Sequence, residues 1–245
     1  MKNIKIIFLI LFIILTSLYV SSNAYSQDPA SEIHTDPASM IPAEQQRQLP
    51  SPIERVSPGV FRIGDVMLNK KEKSISFPAL VNMDKGLLEY LIVSSSGKTH
   101  ESLFRTKVQP YNLQIAFLLL GFEGTDNKLA QQGSPEKPVG EPLEIMVEHK
   151  QQAETTIVNV ENWMMQIIDE KKKDLEKLDW TFTGSYVMDG LFMAQSEGSI
   201  VSVFRDPTAL IDNASKGDES DEIWFVKEVT VPPVGTPVTI TIKAE

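Results

Sequence analysis

Ten short runs rich in apolar and β-favouring residues, separated by clusters of Gly, Pro, Asn and Asp, constrain this 245-residue chain more than any other feature. They are Val60–Leu68, Ser74–Val81, Leu87–Ser94, Thr99–Thr106, Leu143–Glu148, Thr155–Val160, Trp180–Thr183, Ser199–Phe204, Ile223–Val226 and Val238–Ile242. That spacing predicts largely antiparallel sheet and argues against βαβ repeats. There is no internal repeat and no phosphate-cradling glycine loop.

Two helices are predicted among the strands. Pro110 suits a first helical position and Gly121 the position just past the end, which frames Tyr111–Leu120. Leu113, Ala116, Phe117 and Leu120 form one apolar face and Ile115, Leu118 and Leu119 a second, so this helix is expected to be buried. A second helix is predicted over Val160–Leu178, with Trp163, Met164, Ile167 and Ile168 as its core stripe and the charges after Ile168 as a wet face. The expected fold class is therefore α+β: a mainly antiparallel β-sheet domain with one buried short helix and one amphipathic helix.

The N-terminus sets the compartment. Lys2 and Lys5 precede an apolar run from Ile6 to Val20 that ends in Ser22-Asn23-Ala24, the pattern of a signal peptide cleaved after Ala24. The run is slightly short for a bilayer span, and no cysteine follows to take a lipid. Residues 25–57, rich in Gln, Pro, Ser and Asp and including a lone His34, read as a disordered linker. A globular domain is expected over 58–245. The protein is expected to be exported, to the periplasm or beyond the cell.

With no cysteine, disulfides, thiolate metal sites and iron–sulfur clusters are excluded, so the core has to hold itself. Roughly 220 residues remain after cleavage, enough for a self-sufficient core. The formal net charge of −10 becomes more negative once Lys2 and Lys5 leave, which disfavours nucleic acid and anionic membrane surfaces as partners.

Chemically capable residues concentrate between Gly97 and Gly121. His100, Glu101 and Ser102 stand together, but a plain strand puts His100 and Ser102 on one face and Glu101 on the other. Glu89, the charge inside the apolar run Leu87–Val93, is a candidate carboxylate for His100. If the flanking runs form a hairpin, a two- or four-residue loop allows a carboxylate, histidine and serine cluster. A three-residue loop pairs Glu89 with Glu101, and Gly97 suits the left-handed position of that turn. The strand-to-helix nucleophile elbow is missing.

Metal binding offers a second reading. His100 and Glu101 with His149 and Glu148 supply ligands suited to zinc, although the spacing has no HExxH character and the histidines meet only if the fold joins them. Asp206, Asp212, Asn213, Asp218, Asp221 and Glu222 lack EF-hand spacing and read as an acidic surface loop rather than a calcium site. Gly184-Ser185 reads as a strand end and turn.

The segments Val93–Leu103, Trp180–Ser185, Asp206–Asn213 and Val231–Val238 together resemble the YdjY-domain family of bacterial exported proteins, over about Pro58 to Ile242. The His100-Glu101-Ser102-Leu103 block ahead of the leucine-rich helix is the most specific part. The resemblance implies an exported domain with no assigned reaction. A ferredoxin-like label carried by some relatives requires cysteine ligands and does not transfer. The expected function is a non-enzymatic module that binds a small ligand or an envelope protein through His100, Glu101, Ser102 and Glu89. Its rival is a metal-dependent hydrolase using His100, Glu101 and His149.

Overall fold

The computed structural model describes residues 50–151 and 154–245. The expected signal peptide, His34 and residues 25–49 of the expected linker lie outside the described residues. The last part of that linker is ordered: Ile53–Ser57 forms β1, which pairs antiparallel with β2 (Val60–Ile63). Next come β3 (Val66–Asn69) and β4 (Ser74–Val81), and the turn at Gly64-Asp65 splits the first predicted run in two.

Eight strands close into a barrel. Around it run β4, β17 (Pro237–Ala244), β7 (Glu141–Gln151), β11 (Trp180–Phe182), β15 (Ile211–Asn213), β14 (Ser199–Ser202), β5 (Tyr90–Ser94) and β6 (Ser102–Thr106). Closure comes from β4, which gives the first half of one edge to β3 and the second half to β6, through Leu80↔Arg105 and Val81↔Phe104. The β14–β15 and β5–β6 pairs are parallel and the remaining junctions antiparallel. The expected α+β class is therefore corrected. The described residues are 42 % strand and 12 % helix, and the main sheet is a closed barrel rather than an open sheet carrying helices.

The barrel is solid. Every one of the eight strands sends side chains into a single buried apolar cluster, including Phe77, Ile92, Phe104, Ile145, Trp180, Val201, Ile211 and Ile240. An eight-stranded barrel is just wide enough for side chains to fill, and here they fill it. In β4, β7 and β17 buried residues alternate with half-exposed ones, as expected for a wall with one wet face. In β5, β11, β14 and β15 every residue is buried.

The long irregular segment 121–140 accounts for part of that second pattern by lying across the barrel wall. Its glycines permit the close approach: a Cβ on Gly124 would meet the Thr183 carbonyl at 2.7 Å, and one on Gly140 would overlap the Phe182 carbonyl.

The helix expected after Pro110 is present as α1 (Pro110–Leu120), closed by Gly121 in the left-handed conformation at φ 91°. Leu113, Ala116 and Phe117 are buried and the second apolar face is half-buried. Phe117 reaches Phe182 of β11 at 4.4 Å between ring centroids.

The second predicted helix does not form. Residues 160–163 make a single 3-10 turn, followed by β9 (Met164–Ile168) and β10 (Lys171–Asp174), an antiparallel hairpin that β16 (Trp224–Val226) extends. Trp163 through Gln166 are buried consecutively, whereas Ile168 is exposed. A buried run beside a 3-10 turn imitates a helical stripe because both bring close-spaced apolar residues inward.

Candidate functional site

The runs that carry His100 and Glu89 do not form a hairpin; β5 and β6 lie parallel, with Tyr90 opposite Ser102. The seven residues between them return along the strand direction through a 3-10 turn at Thr99–Glu101. Gly97 is there for a different reason than expected. It avoids the left-handed region, and a Cβ on it would meet the Gly198 carbonyl at 2.9 Å. The turn is locked from below, since Asn82 Nδ2 donates to the carbonyls of Thr99 (2.6 Å) and Ser102 (2.8 Å).

Parallel pairing settles the parity question in favour of Glu89 with Glu101: the Glu89 amide donates to the Glu101 carbonyl at 3.0 Å. Glu89 is half-buried and accepts from Gln132 Nε2 at 3.2 Å. Burial, and then the neighbouring Glu101 carboxylate, push the Glu89 carboxyl above its usual range. His100 is exposed and its Nε2 lies 3.4 Å from Glu101 Oε2. Ser102 is fully buried and its Oγ donates to the Lys98 carbonyl at 2.6 Å, which makes it a fastening for the turn rather than a nucleophile.

His149 is elsewhere. It sits in β7 opposite Thr156 and Val238, buried edge-on against Trp163 at 5.1 Å between ring centroids. Among the described residues no group of three or more His, Asp or Glu side chains is placed to hold a metal ion, so His100, Glu101, Glu148 and His149 do not converge.

Beneath the Glu89–Glu101 pair lies a polar network that the sequence reading did not single out. Lys98 Nζ donates to Tyr90 Oη at 2.9 Å and to Gln132 Oε1 at 3.3 Å. Tyr90 Oη in turn donates to Asp206 Oδ2 at 2.7 Å. Burial and the Asp206 carboxylate raise the Tyr90 phenol, which keeps it protonated. Asp206 is also held by the amide (2.9 Å) and hydroxyl (2.8 Å) of Thr208.

The loop expected to be a wet acidic surface is largely interior. Asp206, Asp212, Asn213 and Asp218 are buried, while Asp221 and Glu222 are exposed. Asp212 accepts from the Ser202 hydroxyl, from the Asp206 amide at 2.8 Å and from Thr183 Oγ1 at 3.3 Å. Burial nevertheless pushes its carboxyl up to about 7. Asp218 pairs with the buried Arg205 guanidinium, whose Nη1 donates to the Ser134 and Glu136 carbonyls at 2.7 Å each.

Residues 121–140 thus act as a strap over this network, pinned by Gln132, by the contacts of Arg205, and by Lys128, whose ammonium donates to the Thr183 carbonyl. Burial lowers Lys128 to about 8. Ser185 lies in the irregular connection after β11, at φ 50°, with its Oγ donating to the Thr208 carbonyl at 2.7 Å.

The arrangement has one chemical character at the surface and another below. The surface offers two adjacent carboxylates, an imidazole and the edge of Lys98 and Gln132. The interior offers a satisfied network without an activated nucleophile.

No curated protein and no solved structure matches this chain significantly. The YdjY domain matches residues 66–243, from β3 to the penultimate residue pair of β17, and so takes in the barrel, the strap and the Glu89–Glu101 surface together. The chain belongs to the YdjY-domain family.

Proposed function

We propose that this protein is an exported, non-enzymatic binding module that takes a basic group of a small ligand or envelope protein at the surface formed by Glu89, Glu101 and His100. The observation that carries this reading is the side-by-side placement of Glu89 and Glu101 just ahead of the parallel strands β5 and β6, with Glu89 half-buried and held above its usual range by burial and then by its neighbour. An approaching ammonium or guanidinium group relieves that repulsion, so its binding gains what the free protein lacks. Gln132, Lys98 and the locked Thr99–Glu101 turn fix the pair in place beforehand.

A solid barrel leaves the surface as the place to bind. The hydrolase alternative has little support, because His149 is packed away from His100 and Ser102 is consumed in a structural hydrogen bond.

The test is an amide-resolved NMR titration with short lysine- or arginine-containing peptides. Shifts should centre on residues 89, 98–102 and 132, weaken with added salt, and require about tenfold more peptide in Glu89→Gln or Glu101→Gln. Shifts that centre elsewhere, for instance on the open cleft lined by Asp84, Lys85, Glu228, Val231 and Pro233, would remove the proposal.

A further inference from the structure

Free strand edges are liabilities, and among the described residues this fold guards all but one of them. Among the described residues, three strands longer than two residues pair on one side only: β1, β10 and β8 (Glu154–Asn159). Exposed Glu54 and Arg55 sit in β1, and β10 is Lys171-Lys172-Lys173-Asp174, the charged dressing that keeps edges from pairing. The outer side of β16 is covered by Gly86 to Leu88, and the hairpin of β12 (Val187–Met188) and β13 (Leu191–Phe192) is too short to template a strand. β8 differs. From Thr155 to Asn159 it reads TTIVN, uncharged and β-branched at four consecutive positions, with Ile157 61 % exposed.

We infer that β8 is a dimerisation edge, pairing antiparallel with β8 of a second copy of this chain. Self-complementarity is the argument for that occupant. Side chains alternate faces, so a two-fold axis perpendicular to the sheet requires residues of equal parity to stand opposite one another. With the axis at Ile157, the two Ile157 side chains cover each other, Thr155 faces Asn159, and Thr156 faces Val158. Glu154 lies beyond the paired stretch, because the chain turns inward at the buried Val160, so no like charges meet although the chain carries a net charge of −10. The inner face is already seated: Val158 packs against the core, so pairing needs no rearrangement of the barrel. Closed two-fold dimers are also the commonest assembly of identical chains.

The chain contains no cysteine, which gives a clean test. The protein, produced with its own N-terminal segment, should show twice the monomer mass by native mass spectrometry and light scattering. Ile157→Lys puts two like charges on the axis and should raise the dimer dissociation constant about a hundredfold, with circular dichroism unchanged because the site is exposed. Ile157→Cys should crosslink under mild oxidant, whereas Val187→Cys on the exposed β12 should not. A monomer at all concentrations overturns the inference. So does a dimer that survives Ile157→Lys without crosslinking at Ile157→Cys, or a monomer in which hydrogen exchange shows β8 protected by the chain's own residues 25–49.

Discussion

Asp212 is a fully buried carboxyl whose ionisation the fold resists, and the sign of its effect on stability follows directly. Its carboxyl is pushed from an ordinary 3.8 up to about 7, with burial as the main cause. Between those values the folded chain holds a proton that the unfolded chain releases. The contribution of Asp212 to stability is therefore intact below about pH 4 and declines as pH rises to about 7, by on the order of 4 kcal/mol over the full window. Asp212→Asn keeps an oxygen for Ser202 and Asp206 and has no charge to bury. Its melting temperature should rise relative to the parent between pH 4 and 7 and stay above it at pH 8. Thermal melts giving parallel curves for the two proteins would show that Asp212 is not the titrating group. Legibility at this scale was uneven for a physical reason. Glu89, His100 and Glu101 stood out as charges beside apolar runs; Glu101 lies beside both Glu89 and its own chain neighbour His100. Tyr90, Arg205, Asp206 and Asp212 read as ordinary strand or wet-loop residues because the groups that hold them come from distant segments: Gln132 for Tyr90, Ser134 for Arg205, Tyr90 for Asp206 and Thr183 for Asp212.

At the scale of elements, the hairpin of β9 and β10 shows why a helix was expected where a turn occurs. Asp169 and Glu170 both take positive φ, 51° and 62°, as the central residues of a tight two-residue hairpin loop. That turn favours Asn-Gly, and neither residue present announces it. The double change Asp169→Asn and Glu170→Gly relieves the left-handed backbone and should stabilise the protein by about 1 kcal/mol, read as a shift in the denaturant midpoint at constant slope. A lower midpoint would mean that the side chains of Asp169 and Glu170 contribute more than their backbone costs. The parallel return between β5 and β6 was hidden for a related reason. A seven-residue connection is too short for an ordinary parallel crossover and so suggests a hairpin, and Asn82, which locks it open, lies outside both runs, just past the end of β4. Pro110 and Gly121, by contrast, act locally, and α1 falls where they place it.

Over the whole molecule, strand positions were readable from local alternation, but the closure that makes a barrel was not. It rests on two residue pairs between β4 and β6 and on a seam that joins the first barrel strand to the last, Ser74 opposite Lys243. No local pattern encodes partners that far apart. The same seam makes β17 indispensable. It lies between β4 and β7 and buries Val238, Ile240 and Ile242, each worth about 1.5–3 kcal/mol by area. Their sum is comparable to the roughly 5–15 kcal/mol that holds a typical domain folded. Deleting residues 237–245 should therefore abolish cooperative unfolding and collapse amide dispersion in NMR, whereas Ile240→Ala should fold with a loss of about 2–5 kcal/mol. Because β17 is the last strand in the chain and pairs with β4, refolding has to wait for a contact spanning most of the domain, and it should take milliseconds to seconds rather than microseconds. Stopped-flow refolding that completes in the dead time, or a truncated chain that still melts cooperatively, would mean that the barrel is organised from β5 to β15 and that β17 only covers it.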